Sequence, residues 1–118
     1  MGNFVKTDTT KGDISVNHYA GIELAEMAKK INDLFIAQGY KLAEGAGGNG
    51  MYTKGSMAMR IMFGAMAKYF KFSVKTTSEN DEVIVSMEQK SMGATGGLIG
   101  LKQVKNEMQR ISGILQTL

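Results

Sequence analysis

Two glycine-rich segments are the first features of this sequence whose residue types could carry chemistry. The second, Gly93-Ala94-Thr95-Gly96-Gly97-Leu98-Ile99-Gly100, leads into an amphipathic stretch. Glycines before a helix let backbone amides approach an anion, and the helix N-terminus adds partial positive charge. A phosphate held there would contact Thr95, Gly96, Gly97, Gly100 and Lys102.

This second segment lacks the Gly-Lys-Ser/Thr ending of a P-loop and the spacing of a dinucleotide-binding fingerprint. The favoured interpretation is therefore that its glycines relieve crowding where the last helix meets the sheet. The first segment, Gly45-Ala46-Gly47-Gly48-Asn49-Gly50, is typical of a flexible loop between two short strands. A mobile hairpin tip is favoured there over a ligand flap.

Basic and aromatic residues are concentrated in the middle of the chain. Between Glu44 and Glu79 there is no acidic residue. An outer sheet face that carries such residues can stack bases and neutralise phosphates. The candidate nucleic-acid-binding residues, which we call the nucleic-acid set, are Tyr52, Lys54, Arg60, Tyr69, Lys71 and Lys75. The net charge of only +3 and the lack of a ribonucleoprotein signature make nucleic acid the less favoured partner.

Catalytic and metal-binding motifs are weak in this sequence. His18 is the only histidine and there is no cysteine, so a metal site would need carboxylates from elsewhere. His18 stands near the expected start of a helix, where a surface position is favoured over a catalytic base. The acidic turn with Glu79, Asp81 and Glu82 does not match a calcium loop. We therefore expect a protein that is not an enzyme, with no cofactor and no metal.

The clearest structural pattern is a pair of alternating stretches. Phe70, Phe72 and Val74 fall on one side of Tyr69–Thr76, and the alternation resumes at Val83, Val85 and Met87 after a run of turn-forming residues. This pattern predicts a β-hairpin with one buried face. Large apolar side chains contribute roughly 1.5–3 kcal/mol each when buried, so this face needs a covering layer of helices.

Apolar residues recur at three- and four-residue steps from Leu24 to Phe35, which predicts a helix over about 19–38. Ser15 or Asn17 is the expected N-cap, and Gly39 the expected left-handed C-cap, with Tyr40 folding back on the last turn.

The C-terminal stretch predicts a second helix over about 100–117 with a narrow apolar seam. The seam consists of Leu101, Val104, Met108, Ile111, Leu115 and Leu118. Packing on the sheet is the favoured role for these residues. The alternative is a homodimer interface formed by Leu101, Val104, Met108, Ile111 and Leu115.

Other segments complete the predicted sheet. Residues Phe4–Thr10 are predicted to form an edge strand, and short strands are predicted on both sides of the first glycine-rich segment. Met57 to Phe63 alternates as a strand would, although a helix over 57–70 competes with it because alanine and methionine favour helices.

Together these elements predict one domain, residues 1–118, with the α+β fold of a two-layer sandwich. An antiparallel sheet of about 4–6 strands would carry both helices on one face. We expect a soluble cytoplasmic protein without a secretory signal or membrane span, since cysteine is absent and no long apolar segment exists.

The leading functional hypothesis is a small binding or protein-interaction module, with self-association as a homodimer as one form of it. One alternative is a binder of apolar, lipid-like molecules in a cavity between the sheet and the last helix. The other alternative is the weak nucleic-acid binder.

Overall fold

The fold, seen in a computed structural model, is described for residues 3–11, 14–55, 69–90 and 97–118. These residues form one antiparallel sheet in the order β1-β2-β6-β5-β4-β3, with two helices. The strands are β1 (Phe4–Lys11), β2 (Ile14–Ala20), β3 (Lys41–Ala46), β4 (Asn49–Gly55), β5 (Tyr69–Glu79) and β6 (Glu82–Gln89), and the helices are α1 (Leu24–Ala37) and α2 (Gly97–Leu115). The predicted two-layer α+β sandwich is confirmed.

The central hairpin, β5–β6, has the predicted buried face. Its turn consists of Asn80 and Asp81, both with positive φ (52° and 65°), which suits the right-handed twist of the flanking strands. The side chains of this face are at most 5% exposed at Phe70, Phe72, Val74, Val83 and Val85. Both helices therefore pack on the buried face of this hairpin.

The expected start of the first helix at residue 19 is wrong, because α1 begins at Leu24. Tyr19 lies instead in β2, where it pairs with Val83 and is fully buried. The buried face of β2 also carries Ser15 and Asn17, and these polar side chains conceal the alternation that marks a strand. Neither residue is the N-cap, a position taken by Glu23 without a side-chain hydrogen bond.

The predicted left-handed cap at the C-terminal end of α1 is confirmed. Gly39 has a φ of +89°, its amide donates to the carbonyl of Ile36 at 3.0 Å, and the amide of Tyr40 donates to that of Phe35 at 2.9 Å. This pair of bonds is a Schellman motif. It turns the Tyr40 ring back against Phe35, with the ring centroids 5.3 Å apart.

The C-terminal helix α2 covers the sheet with its seam, as predicted. Val104, Met108, Ile111 and Leu115 are buried, while the side chain of Leu101 is outside the described part. The hydroxyl of Tyr19 donates to the carbonyl of Leu115 at 2.6 Å, joining β2 to the end of α2. Side chains from α1, α2 and the sheet form one hydrophobic core, so both helices occupy the same face.

The first glycine-rich segment is a tight hairpin tip instead of a six-residue loop. Strands β3 and β4 extend into it and leave only Gly47 and Gly48 as the turn. Four hydrogen bonds hold the tip. The Gly48 amide donates to the Tyr52 hydroxyl at 2.9 Å, and the Tyr52 hydroxyl donates to Asn32 at 2.7 Å. The Thr76 hydroxyl donates to the Gly48 carbonyl at 2.8 Å, and the Thr76 amide donates to Asn49 Oδ1 at 3.1 Å. These contacts fix the tip against α1 and β5.

The remaining predictions have mixed outcomes. The edge strand at Phe4–Thr10 is confirmed as β1. The strand predicted from Met57 to Phe63 lies outside the described residues. The competing helix over 57–70 does too, except for residues 69 and 70, which begin β5. No helix among the described residues has the length and apolar composition needed to cross a lipid bilayer.

Candidate functional site

A cleft of about 580 Å³ lies between α2 and the adjoining ends of β4 and β5. We call it the helix–strand cleft. Lys54 of β4 pairs with Phe70 of β5, so both side chains lie on the helix side of the sheet. The cleft is lined by Lys54, Gly55, Phe70, Gln103, Asn106, Glu107 and Arg110. The α2 residues stand at positions i, i+3, i+4 and i+7 of the helix and share one face.

A buried carboxylate, Glu107, stands in one wall of this cleft and is only 8% exposed. The guanidinium of Arg110 donates to both of its oxygens, from Nε to Oε1 and from Nη2 to Oε2, each at 2.8 Å. The hydroxyl of Tyr40 donates to Oε2 at 2.6 Å, and Arg110 Nη1 donates to Gln38 at 2.6 Å. Charge-assisted bonds of this kind are the strong ones in proteins.

These contacts set the protonation states in the cleft. Burial acts to raise the pKa of Glu107, but the hydrogen bonds from Arg110 and Tyr40 outweigh it and leave the pKa below its ordinary value. The pKa of Tyr40 is raised, mainly by burial and to a smaller extent by the hydrogen bond to Glu107. Glu107 therefore stays ionised and Tyr40 stays protonated, so neither group is free to exchange protons near neutral pH.

Lys54 provides a second cation beside this network. Its Nζ lies 5.6 Å from the centroid of the Tyr40 ring, in a cation–π contact. Its charge also helps to keep the pKa of Glu107 low. Within the described ranges Lys54 forms no ion pair. Among the residues described, the cleft thus combines two cations and one anion with the exposed edge of Phe70.

A second cleft, of about 460 Å³, lies on the other flank of α2. Its lining residues are Thr7, Ile14, Ser15, Lys105, Met108, Gln109, Ser112, Gly113 and Gln116. Several of its polar groups bond to one another: Ser112 donates to Ser15 at 2.9 Å, and Gln116 to Thr7 at 3.1 Å. Between the clefts, fully buried Tyr19, Phe72, Ile111 and Leu115 belong to the packed core. These two clefts therefore flank the last helix.

The predicted nucleic-acid set is divided between the two sheet faces. The expected position of Tyr52 on the outer face is wrong: it pairs with Phe72, faces the helices and is fully buried. Lys54 likewise lies on the helix side, whereas Lys71 and Lys75 alternate with buried Phe72 and Val74 and lie on the opposite face. Arg60 and the side chain of Tyr69 are outside the described part.

The other sequence-predicted sites are only partly described. Thr95 and Gly96 lie outside the described residues, Gly97 and Gly100 are in the first turn of α2, and Lys102 is exposed. The anion site stays a prediction. The proposed dimer residues Val104, Met108, Ile111 and Leu115 are buried in the core of the single chain.

His18 is placed by the structure between two carboxylates that sequence analysis did not bring near it. It lies in β2, its Nε2 is 2.9 Å from Asp8 of β1, and its Nδ1 is 3.0 Å from Glu82 of β6. Both nitrogens can donate to ionised carboxylates only when the ring carries both protons. The cluster links three neighbouring strands, and the described residues contain no group suited to hold a metal ion.

We expect His18→Gln to lower the free energy of unfolding by about 1 kcal/mol. A glutamine side chain can replace the hydrogen bond to only one of the two carboxylates, so the other carboxylate loses its bond to residue 18. Urea unfolding at neutral pH measures this. Lys29→Gln is the matched control, since it removes only the exposed Lys29–Asp33 pair, and we expect a change below about 0.5 kcal/mol. Equal effects of the two substitutions would contradict the linking role of His18.

The Tyr40–Glu107–Arg110 network was missed in the sequence, although one signal for it exists. Glu107 stands three residues after Val104 and four before Ile111, so it shares the buried face of α2. A carboxylate on such a face requires a partner. Arg110, three positions further on, is the available one, whereas Tyr40 can be found only from the fold.

Comparisons with protein-family models, with curated proteins and with solved structures find no match for this chain.

Proposed function

We propose that this protein is a small-molecule-binding module and that the helix–strand cleft is its binding site. The observation that carries the proposal is the convergence of Lys54, Phe70 and the Glu107–Arg110 pair on one cleft of about 580 Å³. Ligand pockets commonly measure about 300–1,000 Å³ and combine apolar surface with a few placed polar groups.

Binding is favoured over catalysis because the charged network is already satisfied within the protein. Both oxygens of Glu107 accept hydrogen bonds, and Tyr40 uses its proton to make one of them. A general base works best when its pKa lies near the operating pH, whereas the pKa of Glu107 lies below its ordinary value. The His18 cluster supplies no base to the cleft, since His18 alternates with inward-facing Asn17 and Tyr19 and so lies on the opposite face of the sheet.

The walls of the cleft are also held in place before any ligand binds. Tyr40 and Gln38, at the end of α1, bond to Glu107 and Arg110 of α2, while the register of β4 and β5 fixes Lys54 beside Phe70. Preorganised walls reduce the conformational entropy lost on binding.

A blocking substitution tests the proposal. Asn106 is exposed and lines the cleft, so Asn106→Trp should fill the cleft without disturbing the core. We expect 2-(1-naphthyl)ethanol or 1-naphthaleneacetate, titrated in ¹H–¹⁵N NMR, to shift amides at residues 54–55, 70 and 103–110 of the wild type. The shifts should be absent in Asn106→Trp.

Lys105→Trp is the matched control, because Lys105 is the neighbouring exposed residue of α2 and lines the other cleft. It should leave the shifts unchanged. Shifts that persist in Asn106→Trp, or that are absent from the wild type at millimolar probe, would refute the proposal.

The remaining expectations stay predictions. A homodimer through the seam would require α2 to leave the sheet, and sedimentation at high concentration distinguishes a monomer from a dimer. A protein partner and nucleic acid stay untested, and the burial of Tyr52 removes one stacking ring from the nucleic-acid set. We keep the cytoplasm as the proposed location, since a chain without cysteine needs no oxidising compartment.

A further inference from the structure

The charges in the helix–strand cleft do not cancel. Lys54 and Arg110 each contribute a positive charge and Glu107 a single negative charge, so the lining residues that the structure describes carry a net charge of +1. The bidentate contact from Arg110 already satisfies Glu107. The excess positive charge therefore resides on Lys54.

Lys54 is held at this position by groups that leave its N–H donors available. The face of the Tyr40 ring attracts the ammonium group without accepting a conventional hydrogen bond. The carboxylate of Glu107 attracts it through space and still lies too far away for an ion pair. An ammonium group placed in this way can donate to an anion that enters the cleft.

Arg110 supports the same chemistry. Its Nε, Nη1 and Nη2 each donate one bond, to Glu107 or Gln38. A guanidinium has five N–H donors, so two remain, and its side chain is 42% exposed. Both cations therefore line the same cleft and have N–H donors that the described residues do not use.

We infer that the ligand of the helix–strand cleft is an organic acid, whose anionic group is bound by Lys54 with support from Arg110 and whose apolar body lies over the small edge of Phe70 that remains exposed. This inference rests on the proposed function and assigns its ligand class. A carboxylate and a phosphate monoester share the required chemistry.

Three probes that share a naphthalene ring separate the contribution of the anionic group from that of the apolar ring. These are 1-naphthaleneacetate, its neutral analogue 2-(1-naphthyl)ethanol, and 1-naphthyl phosphate. We expect the acetate to bind the wild type roughly five- to tenfold more tightly than the alcohol, as one charge-assisted hydrogen bond at a partly exposed site would give. Tighter binding of the phosphate than of the acetate would identify a phosphate ester as the ligand type.

Three variants assign the effect to Lys54. Lys54→Gln should bring the acetate down to the affinity of the alcohol, whereas Lys54→Arg and the control Lys105→Gln should keep the preference for the acid. Equal binding of acetate and alcohol by the wild type, or a preference that survives Lys54→Gln, would overturn the inference. If both probes are still blocked by Asn106→Trp, the proposed function stands; if neither binds the wild type, both fail.

Discussion

Gly48→Ala is expected to lower the free energy of unfolding by about 3 kcal/mol. Gly48 has a φ of +78°, and a Cβ atom there would lie 2.7 Å from the Cα of Ala28 in α1. A left-handed conformation costs an alanine roughly 1–2 kcal/mol, and overpacking against backbone adds about 1–3 kcal/mol. Urea unfolding followed by circular dichroism measures the change.

Gly113→Ala is the matched control for this substitution. Gly113 lies within α2, and a Cβ atom there would meet nothing within 4 Å. Alanine is the better helix former, so we expect this variant to be more stable by about 0.5–1 kcal/mol. If both variants lose stability equally, the close packing of the β3–β4 tip on α1 is not what makes Gly48 necessary.

Arg110→Met is expected to lower the free energy of unfolding by about 2–3 kcal/mol at pH 7. Glu107 is buried, and without the guanidinium its carboxylate keeps only the bond from Tyr40. Removing one partner of a buried ion pair leaves a desolvated charge, which is more costly than losing an exposed pair. Thermal and urea unfolding of the variant and the wild type measure the difference.

The effect of Arg110→Met should depend on pH in a defined direction. The pKa of Glu107 in the folded wild type lies below its ordinary value, so its ionisation stabilises the native state above the unfolded pKa of about 4.3. This contribution is lost as the pH falls through the lowered folded pKa. The difference between variant and wild type should therefore be large at pH 7 and should shrink as the pH falls below the unfolded pKa and through the lowered pKa of Glu107.

Glu107→Gln provides the control for this pH dependence. In that background Arg110→Met should cost less than in the wild type, and the difference between single and double variants should no longer change with pH. A stability loss for Arg110→Met that is the same at pH 4 and pH 7 would show that Arg110 acts through packing and not through the charge of Glu107.

Much of the fold could be predicted because its apolar residues repeat with a clear period. Phe70, Phe72 and Val74 alternate, and the seam residues of α2 recur at helical steps, so both elements follow from local sequence. The full length of strand β2 could not be found in this way, since Ser15 and Asn17 occupy its buried face. Burial of polar residues depends on tertiary hydrogen bonds, such as that from Thr7 to Asn17 at 2.6 Å.

The candidate site was less predictable than the fold because its residues are distant in sequence. Lys54 was selected for nucleic acid, and only the pairing with Phe70 places it on the helix side. Tyr40 and Glu107 are 67 positions apart, and no local pattern connects them. The three members of the His18 cluster become neighbours only through the strand order β1-β2-β6.

The pairing of β2 with β6 has a consequence for how the protein is made. Residues 14–20 pair with residues 82–88, so one edge of β2 stays unpaired until β6 has left the ribosome. Such distant pairing slows folding and leaves apolar surface uncovered in the nascent chain. Since α2 follows the six strands in the chain and supplies Glu107 and Arg110, the cleft forms only after this helix has been made, and a ligand can stabilise only a chain that includes it.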